Sequence, residues 1–72
     1  MMYQKKFAVV KVLQNKEIIL KFFKEDEKEA AKAYGAEVAK NNPQDVIACF
    51  LAWFDEKNQV INGEREVFDV WV

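Results

Sequence analysis

The stretch that decides the fold is residues 46–54, Val-Ile-Ala-Cys-Phe-Leu-Ala-Trp-Phe, in which all nine residues are apolar. A helix of this composition would be apolar on every side and would need to be wholly buried, which a domain of 72 residues can hardly provide. Valine, isoleucine, phenylalanine and tryptophan also favour strands. We therefore predict a strand that is apolar on both faces. The alternative is a helix that starts at Asn42 and Pro43.

Two short strands are predicted before this stretch. Residues 6–13 and 17–23 are dense in the β-branched and aromatic residues that favour strands, and residues 14–16 between them are polar. Two such segments joined by a short polar loop are typical of an antiparallel hairpin. The first third of the chain is therefore predicted to be a β-hairpin.

A hairpin return is predicted after the stretch. Residues 55–59 form a polar turn, and apolar residues resume at Val60 and recur as far as Val72. Asn62 and Gly63 interrupt this last segment. The pair is either a bulge in the final strand or a two-residue turn of its own.

One helix is predicted between the first hairpin and the decisive stretch. Five alanines among residues 30–39 favour a helix, and Asn41-Asn42-Pro43 ends it. Asp26 and Glu29 have the spacing of a capping box at its start. Gly35 lies in the middle, where glycine costs about 1 kcal/mol relative to alanine. We attribute this glycine to a close approach of the helix to the sheet.

These elements predict an α+β fold with the order β-β-α-β-β, in a single domain that spans residues 1–72. A helical crossover makes the second and third strands parallel, so the first strand can lie between them and antiparallel to both. The predicted sheet has four strands in the order 4-3-1-2 and is mainly antiparallel. One helix lies on one of its faces.

A single helix is too narrow to cover such a sheet. Four strands spaced by about 4.8 Å give a face of about 400–480 Å², and a helix of about 14 residues covers roughly half of it. Because the decisive stretch is apolar on both faces, the apolar sheet surface that the helix leaves uncovered needs another cover. The candidates are a second copy of the chain, a different protein, or the C-terminal strand curling over the sheet. We favour the second copy, a homodimer.

The candidate interface residues are large and apolar, and they come from the two central strands and the end of the chain. They are Phe7, Val9, Leu51, Trp53 and Trp71. Tryptophan is enriched at binding hot spots. In a small domain, however, we expect both indoles in the core or a dimer interface rather than against an unrelated partner.

Charge is unevenly distributed along the chain. Residues 1–24 hold six lysines and one acid, a net charge of +5, whereas residues 25–72 hold five cations and eleven acids, a net charge of −6. The candidate phosphate-contacting residues are Lys5, Lys6, Lys11, Lys16, Lys21 and Lys24. Because the whole chain is slightly acidic and holds one arginine, nucleic-acid binding is the less favoured alternative.

The chain contains no histidine, serine or threonine and only one cysteine, Cys49. It therefore lacks the side chains for a nucleophilic triad, an imidazole-bound metal or a thiolate cage. We expect no enzymatic activity, no cofactor and no metal.

The nine-residue apolar stretch is far shorter than the roughly 20 residues of a membrane-spanning helix, and a lone cysteine weakly indicates a cytoplasmic location. The predicted function is a small non-enzymatic interaction or structural module, self-associating through an apolar sheet face.

Overall fold

The computed structural model describes residues 3–72, and its elements follow the predicted order β-β-α-β-β. They are β1 (Gln4–Val12), β2 (Glu17–Lys24), α1 (Lys28–Asn41), β3 (Val46–Phe54) and β4 (Val60–Trp71). The four strands form one sheet in the order β2-β1-β3-β4, and every neighbouring pair is antiparallel. The predicted α+β fold, the strand order and the strand at 46–54 are confirmed.

The start of α1 differs from its prediction. Its N-cap is Glu27, and no side chain caps the first turn. The Glu27 carboxylate instead accepts a hydrogen bond of 2.8 Å from the backbone N–H of Lys24, which closes the turn between β2 and α1. The predicted capping box at Asp26 and Glu29 is therefore wrong, because Asp26 lies one residue outside the cap position.

One face of the sheet, which we call the helix face, packs against α1. Its buried side chains, together with that of Ala31 from α1, are Phe7, Val9, Ile47, Cys49 and Leu51. The helix lies close to the sheet at Gly35, where a Cβ atom would overlap the ring of Trp71. The predicted close approach at this glycine is confirmed.

The opposite face, which we call the open face, also contains a buried core. Its buried side chains are Ala8, Val10, Ala48, Phe50, Ala52 and Phe54. No helix in the described part of the chain covers them; the sheet curls around them instead. Arg65 of β4 forms an ion pair with Glu17 of β2, although these strands are the two edges of the sheet. Contact between opposite edges requires a strongly curved sheet.

Irregular pairing accompanies this curvature. The register shifts between Val9 and Val10 on β1, and twice more along the β3–β4 pair. Such bulges bend a strand and increase its local twist. Strand β4 continues from Val60 to Trp71 through Asn62 and Gly63, whose φ angles are 57° and 68°, so the pair is a bulge within the strand rather than a hairpin turn.

No helix among residues 3–72 is long and apolar enough to cross a membrane. Helix α1 has 14 residues, and its exposed side is rich in charge. Its role in the fold is to cover the helix face.

Candidate functional site

Four of the five predicted interface residues lie in the helix-face core: Phe7, Val9, Leu51 and Trp71. The first three are buried beneath α1, and Trp71 is partly buried against it. The ring of Phe7 also meets that of Phe68 edge to face, with centroids 5.2 Å apart. Helix α1 therefore closes Phe7, Val9 and Leu51 off from other molecules, whereas Trp71 keeps part of its side chain exposed.

Trp53, the fifth predicted interface residue, is placed differently. Its side chain is 52% exposed, whereas its neighbours Ala52 and Phe54 are buried. By strand alternation it shares the helix face with Leu51, but it is not among the side chains packed against α1. This indole therefore lies outside the core of the single chain, because α1 leaves this part of the face uncovered, and of the two expected places for it only the dimer interface stays a prediction.

The β4 bulge builds a cleft around Trp53. Ala52 pairs with Arg65 and Phe54 with Val60, so the four residues between those partners lie opposite Trp53 alone. The resulting cleft, which we call the Trp53 cleft, has a volume of about 330 Å³. It is lined by Tyr3, Trp53, Ile61 and Glu64. The Asn62-Gly63 pair within an apolar segment indicated a possible bulge in the sequence. Nothing in the sequence indicated that Trp53 would lie opposite this bulge and be exposed.

A second cleft of about 460 Å³ adjoins the Trp53 cleft and shares Tyr3 and Ile61 with it. It extends along the β3–β4 turn and brings in the carboxylates of Asp55 and Glu56. Asp55 is held in place because its carboxylate accepts hydrogen bonds from two backbone N–H groups of the turn, at 2.8 and 3.0 Å. The aromatic cleft therefore has a partly acidic border.

One lysine and one arginine cover aromatic rings at the rim of the open face. The ammonium of Lys6 lies 4.0 Å from the ring centroid of Phe22 and donates a hydrogen bond of 2.8 Å to the side-chain oxygen of Asn58. The guanidinium of Arg65 lies 4.7 Å from the centroid of Phe50. Arg65 also donates to Glu17, and this hydrogen bond raises the pKa of the guanidinium above its usual value. These cations close the open-face core.

The six lysines predicted to contact nucleic acid do not form one surface. Lys6 and Lys24 pair across β1 and β2 on the open-face side, whereas Lys5, Lys11 and Lys21 lie on the helix-face side and Lys16 lies in the hairpin loop. Lys21 lies over the ring of Phe23, at 5.1 Å from its centroid.

Acids balance several of these lysines. Lys5 pairs with Glu25 and Lys11 with Asp45, each at 3.5 Å. Lys5, Lys6 and Lys24 do share a cleft of about 460 Å³, but Glu25 and Glu27 line the same cleft. The structure therefore brings three of the six lysines together with two carboxylates and separates the other three from them.

The thiol of Cys49 is fully buried on the helix face. Burial raises its pKa, the charge of Asp69 raises it further, and the charge of Lys32 opposes them. The thiol is therefore protonated near neutral pH, and it is a weak nucleophile in this form. Among residues 3–72, no group of three or more cysteine, aspartate or glutamate side chains could hold a metal ion.

Comparison of the chain with protein-family models, curated proteins and solved structures finds no match. The fold therefore defines the class only as a small α+β domain, with a four-stranded antiparallel sheet and one helix. Its described surface offers an aromatic cleft at Trp53 and an apolar rim on the open face.

Proposed function

We propose that this chain is a small non-enzymatic interaction module that forms a weak homodimer through the rim of its open face. The observation that supports the proposal is a set of exposed apolar side chains on that rim, which we call the rim patch. It consists of Ile19 on β2 with Val67 and Val70 on β4, each about half exposed.

The strand register places the rim patch on one side of the sheet. Ile19 pairs with Val10, Val10 with Ala48, and Ala48 with Val70, so one apolar row crosses all four strands. Val67 belongs to the next row, opposite Phe50. The middle of the row is buried, and its two ends are exposed. A partner would therefore meet apolar side chains at both edges of the curved sheet.

The charges beside the rim patch suit a second copy of the same chain. Glu17 and Arg65 form their ion pair on the same face, with side chains 31% and 36% exposed. In a twofold dimer the same surface occurs on both partners, so each cation can face the other copy's anion. A surface with one exposed cation and one exposed anion is self-complementary in this sense.

The size of the rim patch indicates a weak dimer. Three strand spacings of about 4.8 Å and about 14 Å along the strands give roughly 200 Å². A stable interface buries about 800 Å² on each partner. Because both apolar cores are already closed within one copy, the dimer is not needed for folding, and we expect it at high protein concentration only.

Two further inferences accompany this proposal. Nucleic-acid binding through the Lys-rich hairpin is less well supported, because Lys5, Lys6, Lys11 and Lys21 each contact an acid, an amide oxygen or an aromatic ring of the chain itself. A cytoplasmic location is supported by the single cysteine, which has no disulfide partner in the sequence.

The decisive experiment compares two neighbouring residues on β2. Ile18 and Ile19 are 41% and 40% exposed, and they point to opposite faces of the sheet. Sedimentation equilibrium from about 10 μM to about 1 mM covers the range of weak dimers. We expect the mass of the wild-type chain to rise above 8.4 kDa with concentration. Ile19→Lys should abolish the rise, and Ile18→Lys should keep it.

A constant mass of 8.4 kDa over this range would contradict the proposal, as would an equal loss in both variants. A gel shift with single-stranded DNA or RNA that weakens with added salt would favour the nucleic-acid alternative instead.

A further inference from the structure

We infer that the Trp53 cleft binds a quaternary ammonium group. This site is separate from the rim patch, because its lining residues, Tyr3, Trp53, Ile61 and Glu64, include none of the rim residues. Three of the four are aromatic or aliphatic, and the fourth carries a carboxylate. An apolar lining with an exposed indole and one negative charge suits a bulky, weakly hydrated cation.

The pattern of cation–aromatic contacts elsewhere in the chain supports this assignment. Four cations of the chain lie over the rings of Phe22, Phe23, Tyr34, Phe50, Phe54 and Phe68. Within residues 3–72, no such contact involves Trp53, although it is the most exposed of the large aromatic side chains. Indole attracts cations more strongly than the rings of phenylalanine or tyrosine. Trp53 therefore presents the best unused cation-binding face in this part of the chain.

The local lysine does not occupy this face. Lys5 pairs directly with Trp53 across β1 and β3, so it is the natural candidate to cover the indole. Its ammonium instead pairs with Glu25 at 3.5 Å. The ion pair holds the Lys5 ammonium at Glu25 rather than over the indole of Trp53, and the Glu25 carboxylate offsets the lysine charge. The face of the indole is therefore open to a cation from solution.

The lining favours a quaternary group over a primary ammonium. A primary ammonium has three N–H donors that need acceptors after water is displaced, whereas a trimethylammonium group has none. Among residues 3–72, Glu64 is the only charged residue that lines the cleft. Asp55 and Glu56 in the adjoining cleft add negative charge at longer range, opposed there by Lys57. Methyl groups can therefore pack on Trp53 and Ile61 while the charge faces Glu64.

The first test is a titration with tetramethylammonium chloride, followed by the two indole N–H signals in NMR. Trp71 is the internal reference, because it packs against α1 on a different part of the helix face. We expect a saturable shift of the Trp53 signal and no comparable shift of the Trp71 signal. An absence of saturation, or equal shifts of both signals, would overturn the inference.

A neutral analogue separates cation binding from hydrophobic binding. Choline and 3,3-dimethylbutanol have the same shape, but only choline carries the charge. We expect choline to bind about 2- to 30-fold more tightly, the range expected of cation–aromatic attraction. Equal affinities would show an apolar cleft without cation recognition and would refute the inference. Nε-trimethyllysine, as a third ligand, should bind like choline, because the two share the trimethylammonium headgroup. Failure of either choline or trimethyllysine to bind would also refute the inference.

Two variants and one control test the named residues. Trp53→Leu should abolish choline binding, read on the methyl signals of Ile61. The substitution should leave the fold intact, because the side chain is half exposed. Glu64→Gln should weaken binding about 2- to 5-fold, as expected for the loss of one exposed charge. Glu66→Gln, which lies opposite Leu51 and outside the cleft, should leave the affinity unchanged. An equal effect of both glutamine variants would contradict the role of Glu64.

Discussion

The helix face and the open face of the sheet are closed in different ways. On the helix face, α1 packs onto the strands, and Ala31 and Gly35 are the residues of α1 that are buried there. On the open face, residues 3–72 supply no second layer, and the two edges of the sheet approach each other until Arg65 meets Glu17. Small side chains in the centre and long cationic ones at the rim can therefore replace a second layer.

The curvature of the open face also explains why the area estimated for a flat sheet overstates the apolar surface that is left uncovered. An area of about 400–480 Å² assumes a flat sheet with straight strands. A curled sheet has a smaller concave side, and three of the residues buried there are alanines: Ala8, Ala48 and Ala52. The long side chains of Lys6 and Arg65 then cover the remaining phenylalanine rings. Curvature reduces the area that another molecule would need to cover.

The largest expected effect on stability comes from truncating one buried phenylalanine on each face of the sheet, which tests whether both faces contain a core. Phe54 on the open face and Phe7 on the helix face are 1% and 2% exposed. If both faces are true cores, each alanine substitution costs about 3–5 kcal/mol in the free energy of unfolding. Urea denaturation measures both variants under the same conditions.

A chain of 72 residues has only about 4–11 kcal/mol of total stability, so either alanine variant can unfold. Phe54→Leu and Phe7→Leu then provide the same comparison with a smaller loss. A cost below about 1 kcal/mol for the Phe54 variant alone would show that the open face is a surface rather than a core.

A smaller effect is expected on the helix face from Gly35→Ala. Alanine gains about 1 kcal/mol in helix propensity, but its Cβ overlaps the ring of Trp71, and such overpacking costs about 1–3 kcal/mol. We therefore expect a net loss of up to about 2 kcal/mol in the wild-type background. In a Trp71→Leu background the same substitution should stabilise the chain. Thermal or urea unfolding of the wild type and the three variants completes the cycle. Stabilisation in both backgrounds would show that α1 does not approach the sheet closely at this position.

The smallest change in the free energy of unfolding is expected when a cation that lies over an aromatic ring is replaced by methionine. Arg65→Met keeps the aliphatic chain but removes both the ion pair with Glu17 and the charge over Phe50, so we expect a loss of about 1 kcal/mol that shrinks in high salt. The matched control on the helix face is Lys28→Met. Lys28 lies over Phe68 but starts α1, where a cation opposes the helix dipole. Its removal should cost about 0.5 kcal/mol or less. Equal losses in urea denaturation would show that Arg65 has no special role in closing the open face.

The sequence alone was sufficient for the element types and their order. Alternation in residues 17–23 and the alanine-rich segment are local patterns that predict their elements. The wholly apolar stretch 46–54 has no such period, and the strand was preferred to a helix because a small domain can hardly bury a helix that is apolar on every side. The strand order followed from general rules of chain connection. The close approach at Gly35 was also predictable, since a glycine inside a helix needs a packing reason.

The sequence did not indicate which apolar side of each strand meets the helix. Phe7 and Val9 alternate on β1 with Ala8 and Val10, and both sets are apolar, so local pattern cannot tell the two faces apart. Four predicted interface residues therefore belong to the helix-face core.

Only the tertiary structure decided how the two faces close and why Trp53 is exposed. Sheet curvature, the contact between Arg65 and Glu17, and the bulge opposite Trp53 depend on the register between strands far apart in the chain. The physical reason is that a residue's secondary structure is set largely by its near neighbours, whereas its exposure is set by whatever the whole sheet brings over it.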